Sequence, residues 1–136
     1  MREARLLVNI DVDDIEKACA FYTEALGLRI GRKLGEDFVE LLGGGAPIYL
    51  LKKKDGTAPF AGASPRTYAR HWTPVHLDFS VDDIEAARAK ALAAGATAES
   101  EITQHAYGRM VLLADPFGHG LCLLEFNEQG YDAITT

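Results

Sequence analysis

The pentapeptide VDDIE occurs twice, at 12–16 and at 81–85. Each copy closes an alternating stretch, RLLVNID before the first and TPVHLDFS before the second, and opens a helical pattern. A chain that repeats this strand-then-helix punctuation about half its length apart is constrained to fold as two copies of one unit. In the first stretch Leu6, Val8, Ile10 and Val12 share one face and Leu7, Asn9 and Asp11 the other. In the second, Val75, Leu77, Phe79 and Val81 oppose His76, Asp78 and Ser80. Period-two alternation describes sheets with one apolar and one polar face.

The helices carry matching signals. Asp13 with Glu16, and Asp82 with Glu85, fit a capping box, and acids in a first turn suit the helix dipole. DIEKACAFYTEALG puts Ile15, Ala18, Cys19, Tyr22 and Leu26 at core-facing spacing, and DIEAARAKALAAGA is its counterpart. Gly27 and Gly95 close the two helices. Strands are predicted at 28–34, 37–42 and 47–53, then at 99–105, 108–114 and 120–126. DGTAPFAGASPRTYAR between the halves reads as a linker or loop. The chain is therefore α+β, βαβββ twice over: module one at 4–53, linker 54–70, module two at 71–126 and a tail at 127–136. A helix on one sheet face is expected to bury Val75 and Leu77, which leaves the polar faces to line a cleft.

Composition narrows the function classes. The 136 residues are 48% apolar and 25% charged, a globular balance at the size of one domain. A net charge of -6 argues against nucleic acid as partner. Cys19 and Cys122 form no CxxC and suggest no disulfide framework. The opening MREARLLVNIDV, with Glu3, Asn9 and Asp11 inside it, does not read as a secretory signal, and no apolar run approaches a membrane span. A cytoplasmic protein that takes neither nucleic acid nor membrane is expected.

FYTEALGL at 21–28 and DPFGHGLCLLE at 115–125, together with the repeat, resemble the vicinal oxygen chelate superfamily of glyoxalases, extradiol dioxygenases, and fosfomycin- and bleomycin-resistance proteins. The resemblance covers nearly the whole chain. It implies two βαβββ modules forming a cupped mixed sheet around a central cavity, helices on the outer face, often completed by a second chain. It also implies a divalent metal held by His or Gln on first strands and Glu on last strands. Carried over position by position, those four places read Leu7, Tyr49, His76 and Cys122. Glu125 is tempting, but it shares its strand face with Leu121 and Leu123, opposite Cys122 and Leu124. One histidine and one thiol fall short of the three protein ligands of an open zinc site, and hard cations would be held less well still. No cofactor is expected and a divalent metal is disfavoured, although a set drawn from His71, His76 and His105 stays open.

The resemblance and the strand parity nominate Leu7, Asn9, Phe38, Glu40, Tyr49, Trp72, His76, Asp78, Tyr107, Met110 and Cys122 as ligand-contacting residues. Cys122 reads as a small wall residue rather than a nucleophile, and His119 as a solvent-facing residue. Two functions follow from different classes. One is a small-molecule-binding protein with a degenerate metal site. The other is a glyoxalase-type lyase or a dioxygenase with a rearranged or metal-independent site, in which His76 is the candidate base. A homodimer is expected, because each open curved sheet needs cover and a two-fold axis supplies it symmetrically. Light scattering at micromolar concentration should return twice the chain mass; a monomer mass would refute it.

Overall fold

The structure, a computed structural model, describes residues 3–136. They divide into two compact units between Tyr68 and Ala69. The first holds β1 (Val8–Val12), α1 (Ile15–Leu26), β2 (Arg29–Lys33), β3 (Phe38–Leu42) and β4 (Ile48–Lys52). The second holds β5 (Leu77–Ser80), α2 (Ile84–Ala94), β6 (Thr97–Ala98), β7 (Thr103–His105), β8 (Gly108–Ala114) and β9 (Gly120–Phe126), then a 3-10 turn at Gly130–Ile134. The sheet orders are β1-β4-β3-β2 and β5-β9-β8-β6, with β7 also on β8. In both units the first strand pairs in parallel with the last, and every other pairing is antiparallel. These are two βαβββ modules. Among the described residues no helix is long and apolar enough to cross a membrane.

The helices begin one residue later than the capping box predicted. Asp14 and Asp83, still extended at φ -141° and -137°, are the N-caps, and they accept from the Lys17 and Ala86 N–H groups at 3.0 and 3.1 Å. Glu16 and Glu85 therefore lie in the first turn, where they complement the dipole and close no reciprocal box. Gly27 ends α1 in the left-handed conformation at φ 69°, a region that costs a residue with a Cβ.

Packing follows the period-two pattern. Ile10, Val12, Val39, Leu41, Ile48 and Leu50 form the buried apolar face of module one, against Ala18, Phe21, Tyr22 and Ala25 of α1. Phe21 and Ala25, rather than the predicted Ile15, Cys19 and Leu26, complete the buried stripe; the latter three flank it, half-buried. Module two buries Val111, Leu113, Leu121 and Leu123 with Ile84 and Ala91 of α2. Each large side chain fully buried this way stabilises by roughly 1.5–3 kcal/mol.

Val75 departs from expectation: it is 81% exposed, not covered by a helix. Leu77 pairs with Leu121 near the start of β9, so a strand reaching back to Val75 would have only the turn before β9 to pair with. Leu6 and Leu7 likewise precede β1 and are exposed. Of the strand predicted at 99–105 only Thr103–His105 is strand, and a two-residue piece, Thr97–Ala98, precedes it on the same edge. Between them the Ser100 hydroxyl accepts from the Leu112 N–H at 2.9 Å, replacing a ladder bond. The segment predicted as linker or loop is an ordered loop tied to module one. Arg66 Nε donates to Asp11 at 2.7 Å, and the Tyr68 hydroxyl donates to the Lys53 carbonyl at 2.7 Å.

Two turns shape the sheet face of module two opposite α2. Asp115 Oδ1, buried, accepts from the Phe117 and His119 N–H groups at 2.8 and 2.9 Å and shapes the turn before β9. Ala106 and Tyr107 form the turn between β7 and β8, and Gly108 follows at φ 139° with its Cα so close to β9 that a Cβ would sit 2.0 Å from the Glu125 carbonyl. Gly108→Ala should therefore destabilise by at least about 2 kcal/mol in urea unfolding, since both the backbone angle and the neighbouring carbonyl oppose it. An unchanged midpoint would show that β9 can yield there.

Candidate functional site

In module two Asp78, Cys122 and Leu112 form one cross-strand row, and Ser80, Leu124 and Met110 the next. Side chains paired across strands share a face, so both rows lie opposite the α2-covered face. His76, two residues before Asp78, joins the first row from just outside β5: its Nε2 lies 3.2 Å from Asp78 Oδ1. One donor atom from each of His76, Asp78 and Cys122 lies within 4.8 Å of the others. Cys122 is 2% exposed, while the His76 and Asp78 side chains keep 33% and 39% of their surface. Burial, reinforced by the Asp78 charge and by the thiol's hydrogen bond to that carboxylate, pushes the Cys122 thiol up to about 12. It is a protonated donor at neutral pH.

Aromatic rings stand at both ends of this floor. Trp72 packs over Gly120, where a Cβ would come within 2.4 Å of its ring, and its ring centroid is 4.7 Å from that of His76. Arg70 lies over the outer side of Trp72 at 5.4 Å and is held there by Glu99. At the other end the Tyr107 hydroxyl donates to Met110 Sδ at 3.3 Å, and the ring packs against Phe126 and Tyr131. Burial raises the Tyr107 phenol, and the charges of Tyr131, Asp78 and Cys122 add to the effect. Gly120 to Phe126 is six steps along the strand, so the floor between the two aromatic ends runs about 20 Å.

Asn127 and Tyr131 hold Tyr107 in place, and neither was among the nominated residues. The Asn127 amide donates to the Ala106 carbonyl at 2.7 Å and its N–H to the Tyr107 carbonyl at 3.0 Å, while its Oδ1 accepts from the Gln129 and Gly130 N–H groups. The signal available in the sequence was an Asn just past the last strand with a Gly three residues on, the first and fourth positions of a turn. Glu125 lies on the helix side, as parity requires. It accepts from the Ile84 N–H at 2.9 Å and pairs with Arg109 through both oxygens, and the first of these contacts is the larger cause of its lowered pKa.

The corresponding face of module one is closed by its own contacts. Asn9, Tyr49 and Glu40 form the equivalent row. Arg32, largely exposed beside a register shift in β2, donates to Glu40 from its backbone N–H and from Nε at 3.1 Å and from Nη2 at 2.7 Å; the Tyr49 hydroxyl donates to the same carboxylate at 3.0 Å. Gly31 leaves room beside it, since a Cβ there would sit 2.6 Å from Glu40 Oε1 and 2.9 Å from Leu42 Cδ1. Phe38 packs edge-on to Tyr49 at 5.4 Å, while Leu7 and Asn9 are exposed. Of the nominated residues, Trp72, His76, Asp78, Tyr107, Met110 and Cys122 thus gather on one face of module two, while in module one Arg32 neutralises Glu40 and the Tyr49 hydroxyl hydrogen-bonds to both.

The family's metal positions do not fit as a set. Leu7 has no donor, and the Tyr49 hydroxyl is engaged with Glu40 and Arg32. His71 Nδ1 lies 2.9 Å from the Ala69 carbonyl and His105 Nε2 2.7 Å from the Thr103 hydroxyl; among the described residues the one donor group that gathers contains neither.

A glyoxalase-like domain family model matches residues 7–124. An uncharacterized protein of Mycobacterium bovis is 31% identical over 122 residues, covering 86% of this chain and 80% of its own. Among solved structures, the fosfomycin resistance protein FosX of Listeria monocytogenes superposes with a TM-score of 0.71 at 16% identity, covering 95% of this chain and 98% of its own. The lactoylglutathione lyase of Agrobacterium tumefaciens does so with a TM-score of 0.62 at 20% identity, covering 91% and 94%. The chain belongs to the glyoxalase-like domain family, within the vicinal oxygen chelate superfamily.

The Arg32 contacts hold the Glu40 carboxyl down to about 2, helped by the Tyr49 hydroxyl and opposed by burial. A carboxylate depressed in the folded state contributes stability that is fully present above its unfolded value of about 4.3 and is lost as pH falls through the folded value. Glu40→Gln should therefore lower the melting temperature at pH 7, with the gap to wild type narrowing between about pH 4.5 and pH 2. A gap independent of pH would mean that the ion pair adds nothing beyond packing.

Proposed function

We propose that this chain is a small-molecule-binding protein of the glyoxalase-like type whose ligand lies on the face of module two opposite α2, and that the family's two-module metal set is degenerate in it. The observation that carries the reading is a polar floor of His76, Asp78 and Cys122 set between Trp72 and Tyr107. Two separated rings supply stacking area, and a half-exposed imidazole and carboxylate between them supply orientation. Asp78, with an overall charge of -6 behind it, favours neutral or cationic ligands. A thiol held at about 12 is no nucleophile at neutral pH, which weighs binding above covalent catalysis.

One contact favours the enzymatic alternative. Asp78 beside His76 Nε2 is an arrangement that orients an imidazole for proton transfer, so a lyase or isomerase using His76 as base is the second reading.

Trp72 is the chain's single tryptophan, so its fluorescence reports on the site. Titration with lactoylglutathione, with fosfomycin and with flat heteroaromatic cations should give a saturable change for at least one of them. Tyr107→Ala should weaken that binding about tenfold, the scale of one lost stacking partner. A flat response across the panel, or affinity that survives both Tyr107→Ala and Asp78→Ala, would count against this face as the site. Turnover of a bound probe that vanishes in His76→Ala would move the assignment to the enzyme.

A further inference from the structure

We propose that His76, Asp78 and Cys122 form a three-donor site for a thiophilic divalent cation of the Zn²⁺ class, built within module two alone. The proposal uses the face assigned to the ligand above and rests on that reading for what completes the coordination. An imidazole nitrogen, a carboxylate oxygen and a sulfur converge there, the number of protein ligands an open zinc site keeps. Around a tetrahedral zinc, bond lengths of about 2.0–2.3 Å put neighbouring donors roughly 3.3–3.8 Å apart. His76 Nε2 and Asp78 Oδ1 are already at 3.2 Å, and the widest separation, within 4.8 Å, closes by a rotamer adjustment of the two surface residues.

The donor chemistry selects the ion. Sulfur with imidazole suits Zn²⁺ and its thiophilic neighbours, whereas Mg²⁺ and Ca²⁺ want oxygen shells. The arginines Arg70 and Arg109 of the module are committed to Glu99 and Glu125. On binding, sulfur forms a bond to the cation and its proton leaves to solvent, so that one thiolate and one carboxylate balance the two positive charges. Cys122 is buried beneath the site while His76 and Asp78 rim it, so the fourth position opens outward, between Trp72 and Tyr107. A ligand with a lone-pair donor would complete the tetrahedron there. Nothing from module one is needed, which separates this set from one divided between the modules.

The test is Co²⁺ titration of the full chain after chelator dialysis, read by absorption, followed by Zn²⁺ competition. One Co²⁺ per chain should bind, with a thiolate-to-metal band in the near ultraviolet and tetrahedral visible bands, all bleached by Zn²⁺. Cys122→Ser should lose the ultraviolet band and about 100-fold in Zn²⁺ affinity; Asp78→Asn should keep the band and lose about tenfold. Cys19→Ser should change nothing. Should Cys122→Ser fail to fold by circular dichroism, His76→Ala, a change at a partly exposed side chain, carries the same test through a loss of about 100-fold. Absence of the ultraviolet band in wild type, a band that follows Cys19, or equal Zn²⁺ affinity in all variants would overturn the proposal. If the metal-free protein binds a fluorescence probe yet gives no Co²⁺ band, the cation site fails alone. If the band appears and no probe binds, the ligand-binding reading fails alone.

Discussion

The parallel pairing of β5 with β9 is the constraint on which the candidate site depends. It joins residues more than forty positions apart and sets Asp78 against Cys122. A slip of one residue would turn Leu77 and Phe79 outward and carry Asp78 beneath the helix, a change every buried side chain of the module resists. Glu125 helps secure that register. By accepting from the first N–H of α2 and gripping Arg109 on β8, it ties the start of the crossover helix to both central strands. A side chain on the apolar side of β9 thus keeps the opposite side aligned.

Module one applies the same frame to a different end. Its equivalent row carries a carboxylate, but Arg32 and Tyr49 consume that charge, and Gly31 makes room for the contact. The depressed pKa of Glu40 reflects stabilisation of its ionised form, not readiness for chemistry. In module two the corresponding row holds a thiol and a carboxylate whose neighbours are an imidazole, the exposed Trp72 ring and the half-buried Tyr107 ring.

Most of the architecture was legible in the sequence because alternation and repetition are local properties. The VDDIE copies, the closing glycines and the alternating strands yield both modules, and parity alone puts Glu125 on the helix side. Helix starts were displaced by one residue because two adjacent aspartates both satisfy a cap pattern, and only the backbone decides between them. Val75 was misplaced because alternation continues past the point where a partner strand exists. The neighbourhood of His76, Asp78 and Cys122 was half visible: the first two are two apart on one strand, but their meeting with Cys122 needed the long-range register. The support of Tyr107 by Asn127 and Tyr131 lies in a tail without periodicity, where pattern carries no information.

The equivalence of the two rows has an evolutionary side. Asn9, Tyr49 and Glu40 occupy in one module the places that Asp78, Cys122 and Leu112 occupy in the other. Three side chains on a shared scaffold therefore separate a row whose carboxylate is neutralised from one that sets a thiol beside a carboxylate. Once a duplicated unit carries its own helix, cap and core, one copy is free to drift toward rigidity while its twin explores new partners. Innovation in such a chain proceeds by exchanging inward-neutral residues, with no change to the elements that display them.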